Sequence, residues 1–167
     1  MIRVAIVTLS DKGSRGERVD VTGQKLKEIF EKHLSYETVY YNMLPDTYEE
    51  ICEELIKLAD EDIADLIVTN GGTGFSKRDV TPEATLAIIE REAPGVAEYM
   101  RAKSFEITPK AMLSRARCGI RKGSIILNLP GSPKGATENL NFVIDALVHG
   151  VEILKGAAVE CATPIKK

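Results

Sequence analysis

DLIVTNGGTGFSKRDVTPEAT, residues 65–85, joins an apolar run to a helix start through a polar, glycine-rich stretch. Residues 65–70 are short, apolar and β-branched, the pattern of a strand covered on both faces. Thr81 followed by Pro82 reads as an N-cap with proline at the first helical position. Between them lie Gly71, Gly72 and Gly74. Ordered glycine is entropically costly, so such a cluster marks either a tight turn or a place where something approaches the main chain.

Both flanks repeat the strand-loop-helix arrangement. IRVAIVTL (2–9) is a nearly unbroken β-branched run, and SDKGSRGERVD (10–20) breaks it. From about Asp20, Leu26, Ile29, Phe30 and His33 or Leu34 recur at three-to-four spacing and predict a helix with one apolar stripe. YETVYYNML (36–44) reads as a second, partly alternating strand closed by Pro45. Thr47 with Glu50 has the form of a capping box starting a helix that buries Ile51, Leu55, Leu58 and Ala59. Beyond the glycine loop, Pro94 and Gly95 punctuate the helix begun at Thr81, and a further helical piece is expected from about Val96 to Phe105. Thr108 with Pro109 repeats the cap-and-proline start. SIILNL (124–129) is the last strong strand, ended by PGSPKGA. Leu140, Val143, Ile144, Leu147, Val148, Val151 and Leu154 then predict a long helix capped by Gly156. Strands separated by helical crossovers imply an α/β fold, a three-layer sandwich with a mostly parallel sheet flanked by helices. Residues 1–156 are expected to form a single domain and 157–167 a loosely held C-terminal tail.

The 167 residues allow one core, and 44% hydrophobic with 28% charged residues is ordinary for a soluble globular protein. No apolar run approaches the roughly twenty residues of a membrane span, and the strand-like start lacks the marks of an export signal, so a cytoplasmic location is expected. Cys52, Cys118 and Cys161 lie far apart without a CxxC pair and are expected to be buried or idle thiols. His33 and His149 have no neighbouring ligand types, so no transition-metal site is expected. The net charge is −3. The densest basic run, Arg115, Arg117, Arg121 and Lys122, has no interleaved aromatics on which bases could stack, which argues against nucleic acid.

In a parallel sheet, every loop that follows a strand emerges at one edge, where open α/β folds bind ligands. Residues 10–16, 45–46, 70–79 and 130–135 would gather there. Amides without side chains, beside helix N-termini, form a cradle for phosphate. Neither a Walker loop nor a Rossmann fingerprint is present. Asp46 and Asp79 stand where carboxylates beside phosphates hold Mg²⁺. The competing reading makes each a cap or an Asx turn: Asp46 has Glu49 as a capping-box partner, whereas Thr81 already supplies the cap downstream of Asp79. Lys77, Arg78 and Lys134 are candidate phosphate neutralisers or simply solvated bases. Ser10, Thr73, Ser76 and Ser132 are candidate hydroxyl donors or local turn formers. Asn70, Gly71, Gly72, Gly74, Pro130 and Gly131 complete the candidate binding set.

LPD (44–46), TNGGTG (69–74), RDVTPEAT (78–85) and LNLPGSPK (127–134), in this order and spacing, resemble the molybdopterin adenylyltransferases of molybdenum cofactor biosynthesis. The resemblance covers roughly residues 2–156. It implies a domain that assembles into a homotrimer, binds molybdopterin and Mg-ATP, and transfers AMP to the terminal phosphate of molybdopterin, releasing pyrophosphate. It also implies that the product passes to a molybdate-inserting enzyme. Asp46 and Asp79 match the family's catalytic aspartates, residues 71–74 its glycine loop, and Pro130, Gly131, Ser132 and Pro133 a turn on the pterin side. Such a transfer depends on positioning and charge stabilisation, which suits a chain with no conspicuous Cys or His nucleophile. Two rivals stand beside it: a non-catalytic, trimeric molybdopterin-binding module of the same fold, and a nucleotide hydrolase, for which no water-positioning group is evident.

Overall fold

The apolar runs pair side by side in a computed structural model that describes residues 1–157, so Cys161 and nearly all of the expected tail lie outside it. Strands β1 (Ile2–Leu9), β2 (Tyr36–Leu44), β3 (Leu66–Asn70), β4 (Arg91–Glu92), β5 (Cys118–Arg121) and β6 (Ser124–Leu129) form a six-stranded sheet in the order β2-β1-β3-β6-β5-β4. β2, β1, β3 and β6 are mutually parallel, while β5 runs antiparallel to β6 and β4 antiparallel to β5. The helices are α1 (Asp11–Ser14, a single turn), α2 (Val21–Lys32), α3 (Tyr48–Asp60), α4 (Thr81–Ile88), α5 (Pro94–Phe105) and α6 (Pro133–Leu154).

Alternation along the strands divides the core into two layers, as side chains of successive residues leave opposite faces. Val4, Ile6, Val68 and Leu127 pack against Leu26 and Phe30 of α2, Met100 of α5 and Leu140 of α6. On the other face Ala5, Val7, Ile67 and Ile126 meet Ile51, Leu55 and Leu58 of α3 with Ala84 and Ile88 of α4. Both faces are covered, which is why the strands read as continuous apolar runs rather than alternating ones. Each such buried aliphatic side chain contributes about 1.5–3 kcal/mol. The expected single three-layer α/β domain is what forms.

Several local expectations need correction. Thr47 caps α3 with its backbone alone and makes no side-chain cap bond, so the capping box with Glu50 does not form. α4 begins at Thr81 itself, with Val80 at the cap position. The Thr81 hydroxyl donates instead to the Gly71 carbonyl (2.9 Å), and its N–H to the Gly72 carbonyl (3.2 Å). α5 starts at Pro94, and Thr108 opens only a 3₁₀ turn (Pro109–Leu113). α6 does end as expected, with Gly156 at φ +71° donating to the Ile153 carbonyl. β4 and β5 gave no strand signal because they are short and carry Arg, Glu and Gly instead of a β-branched run.

The topology fixes where a crevice opens. The β1-to-β2 crossover uses α2 on one face, whereas the β2-to-β3 crossover uses α3 on the other and passes over β1. Strand order therefore reverses between β1 and β3, and the loops leaving their C-terminal ends diverge.

Candidate active site

A cavity of about 510 Å³ occupies that divergence. Ser10 after β1, Asp46 after β2, Asn70 at the end of β3 and Gly71 and Gly72 after it all line it. Asp79, from the far end of the third loop, and Gly131 with Ser132, after β6, complete its wall. Asp46 and Asp79 thus share one cavity. Pro130 lines a neighbouring cavity of about 220 Å³, which meets the first at Ser132. Thr73, Gly74, Ser76, Lys77, Arg78 and Lys134 line neither.

The glycine loop is pressed between the two aspartates. Gly71 and Gly72 adopt φ of +102° and +66°, which side chains disfavour. A Cβ on Gly72 would run into the Thr81 hydroxyl and stand 3.2 Å from Asp46 Oδ1, and one on Gly74 would stand 2.9 Å from Asp79 Oδ2. Gly131 packs as closely on the other side, where an added Cβ would lie 3.2 Å from the Gly71 Cα. The glycines are therefore present because backbone, carboxylates and a neighbouring loop must come close. Within the described residues, the amides of Gly72, Thr73 and Gly74 donate no hydrogen bond, which leaves consecutive donors for an anion.

Each aspartate is held by main chain. Asp46 Oδ2 accepts the Asp11 N–H (3.1 Å), and Asp11 Oδ1 accepts the Asp46 N–H (3.0 Å). Burial pushes the Asp46 carboxyl up, and the negative charges of Asp11 and Asp79 add to that, against the Asp11 amide and Arg78, which hold it down. The helix-cap reading of Asp46 is not what forms. Asp79 does have a local duty: its Oδ2 accepts the Ser76 N–H (3.0 Å), and its own N–H donates to the Ser76 carbonyl (3.0 Å). Arg115 braces the same loop from outside, donating from Nε to the Gly74 carbonyl and from Nη2 to the Asp79 carbonyl, both at 2.7 Å, while Nη1 pairs with Glu83. Its own N–H reaches the Thr73 carbonyl (3.0 Å).

Two of the candidate bases form ion pairs within the fold. Arg78 forks onto Asp11, its Nε to Oδ2 at 2.9 Å and its Nη2 to Oδ1 at 2.8 Å, and this pair holds the Asp11 carboxyl below its ordinary range. Lys134 lies 3.8 Å from Glu138. The basic run is similarly engaged: besides Arg115, Arg117 pairs with Glu92, Arg121 with Asp60 and Lys122 with Glu90. Arg18, which the loop reading passed over, is the base that lines the large cavity among the described residues.

Asp20, Thr8 and Thr22 were also missed. Asp20 Oδ2 accepts the hydroxyls of Thr8 and Tyr41, both at 2.6 Å, and Oδ1 accepts the Gly23 N–H (2.8 Å). Asn70 Nδ2 donates to Thr8 Oγ1 (2.9 Å), so this network ties the first loop to the third. Thr22 joins the fourth by donating to the Gly131 carbonyl (2.8 Å). Only Asp20 carried a signal, as a helix start. The remaining polar groups fit the structural reading: His33 contacts Asp145 (3.1 Å), His149 lies 3.8 Å from Glu152, and burial pushes the Cys118 thiol up to about 12.

The donor set suits a hard divalent cation. Two carboxylates share the cavity, and Asp46 Oδ1 takes part in no hydrogen bond among the described residues. Among those residues no group of three or more His, Cys, Asp or Glu side chains is gathered for a metal, so a bound cation would need further oxygens from a phosphate ligand or water. No described helix is long and apolar enough to cross a membrane.

Comparisons with known proteins bear on the fold and the family. The chain is 39% identical over 156 residues to the molybdopterin adenylyltransferase of Helicobacter pylori, covering 93% of this chain and 89% of that protein. It is 39% identical over 177 residues to the molybdopterin adenylyltransferase of Escherichia coli, covering 98% and 91%. The crystal structure of the molybdopterin biosynthesis enzyme MoaB from Thermus thermophilus superposes with a TM-score of 0.88 at 47% identity, covering 93% of this chain and 98% of that one. Residues 5–149 match the family described as "Probable molybdopterin binding domain", and on that match and these relatives the chain belongs to this family.

Proposed function

We propose that the protein is a molybdopterin adenylyltransferase, transferring AMP from ATP to the terminal phosphate of molybdopterin and releasing pyrophosphate. The observation that carries this reading is the single cavity lined by Asp46 and Asp79 with the glycine loop packed between them. The names of the H. pylori and E. coli relatives support it. A two-substrate transfer needs adjoining subsites. We assign the nucleotide to the larger cavity and the pterin to the smaller one, which is lined by Arg101, Ser104 and Lys110 and meets the first at the Ser132 turn.

A molybdopterin phosphate oxygen attacks the α-phosphorus, forming a new P–O bond as the bond between the α-phosphorus and the bridging oxygen breaks and pyrophosphate leaves. The attacking oxygen is already anionic, so no general base is required. The amide of Gly72, which lines the larger cavity, donates to a phosphate oxygen, and the N-terminal end of α6 at Ser132 adds partial positive charge. Mg²⁺ held by Asp46 and Asp79 would neutralise charge on the phosphates.

The direct test is conversion of molybdopterin and Mg-ATP to adenylylated molybdopterin. Asp79→Asn keeps an acceptor for the Ser76 amide while removing the charge. Turnover should fall at least about a hundredfold, roughly 2.7 kcal/mol of barrier, with the melting temperature nearly unchanged. Undiminished turnover would remove Asp79 from the mechanism. Pterin binding without turnover in the wild type would favour the binding module, and nucleotide breakdown without pterin the hydrolase. We further propose a cytoplasmic homotrimer that passes its product to a molybdate-inserting enzyme. Phe105, Ile107, Met112 and Leu113, each at least 47% exposed along one continuous stretch, support a subunit contact, which light scattering would check.

A further inference from the structure

Asp11 joins three of the four loops yet does not line the cavity. It opens α1 immediately after β1, and its partner Asp46 follows the neighbouring strand β2, 35 residues away. The two exchange amide-to-carboxylate hydrogen bonds of 3.1 and 3.0 Å, a reciprocal pair that fixes both the backbone and the side chain of Asp46. The pair occupies Asp46 Oδ2 and leaves Oδ1 beside Gly72. From the third loop, the Arg78 fork grips both Asp11 oxygens, and the next residue in the chain is Asp79.

We propose that Asp11, clamped by Arg78, is a positioning residue that holds Asp46 in register with Asp79; this rests on the reading of Asp46 as part of the reacting site. Arg78 therefore serves as a strut between loops, not as a contact to phosphate. The pair is partly exposed, 60% for the Arg78 side chain and 28% for Asp11, so its contribution to global stability is small. Its effect is geometric, since a displacement of about 1 Å at a reacting group costs up to about a hundredfold in rate. The planar two-bond fork requires arginine; lysine would supply one point charge.

Steady-state adenylylation by Asp11→Ala, Arg78→Ala and the double variant tests this, with Asp46→Asn as control. Asp11→Ala should lower kcat roughly ten- to a hundredfold, with KM for ATP changing less than about twofold. Arg78→Ala should lower kcat in the same way but less, and the double variant should be no worse than Asp11→Ala, since both break one unit. Asp11→Asn, which keeps the acceptor for the Asp46 amide, should retain more activity than Asp11→Ala, and Arg78→Lys should not restore the wild-type rate. Wild-type kcat in Asp11→Ala overturns the proposal. So does an Arg78→Ala variant whose KM for ATP rises while kcat holds, the signature of a phosphate contact. A fully active Asp46→Asn would instead bring down the underlying reading of Asp46, and the clamp with it. Should Asp11→Ala not fold, the exposed Arg78→Ala decides by the same split between kcat and KM.

Discussion

Thr81 illustrates how one hydroxyl can shape a site that it does not line. It is fully buried, and its hydroxyl satisfies the Gly71 carbonyl just where the chain leaves β3 in a left-handed conformation. Thr81→Val preserves shape but strands that acceptor, and should cost about 1–3 kcal/mol in urea unfolding. Gly72→Ala meets the same hydroxyl at positive φ. It should destabilise by at least about 1 kcal/mol and weaken ATP binding in calorimetry, because the loop must shift away from Asp46. The Thr-Pro pair announced a helix start in the sequence to within one residue. That its hydroxyl turns back to the glycine loop was not legible, since a threonine that caps and one that braces a neighbouring turn look the same in one dimension.

The loop from Gly74 to Asp79 is an element with two ends pinned by one side chain. Arg115 reaches it from the segment before β5, a strand whose antiparallel pairing with β6 no apolar periodicity foretold. Read along the chain, Arg115 belonged to a basic run; in the fold its guanidinium bonds both ends of the loop and Glu83 on α4. Arg115→Lys loses the fork and should speed amide hydrogen exchange at Ser76 and Asp79 by roughly tenfold or more, about 1.4 kcal/mol of local opening, while the β1 and β3 amides keep their protection. Unchanged exchange there would mean that the Asp79–Ser76 turn suffices alone. The helices were more legible than this loop, because their amphipathic stripes are local patterns, as in α3, where the expected Ile51, Leu55, Leu58 and Ala59 are the buried residues.

Across the whole molecule, the sheet edge opposite the cavity is tied by a buried carboxylate. Asp65 is 1% exposed, and it binds the Arg3 amide (2.8 Å) and guanidinium (2.7 Å) from β1 and Lys155 Nζ (2.7 Å) beyond α6. Burial pushes its carboxyl up, but the bonds from Arg3 and Lys155 outweigh this and hold it at about 2. The folded value lies below the unfolded one of about 3.9, so the stabilisation is present above about pH 4 and is lost as pH falls towards 2. Denaturant titrations should show about 2 kcal/mol disappearing over that window, and Asp65→Asn should flatten the slope. The two-sided burial of the strands, the order of crossovers and the set of loops at one edge were written in periodicity and chain order, because residues two, three or four apart determine which face an element hides. The contacts that make the loops a site link positions far apart: Asp11 to Asp46 over 35 residues, Arg115 to Gly74 over 41, Thr22 to Gly131 over 109. Those pairings follow from strand order and register, which arise when the two apolar layers pack together, and no local pattern in the chain encodes which distant polar groups will then meet.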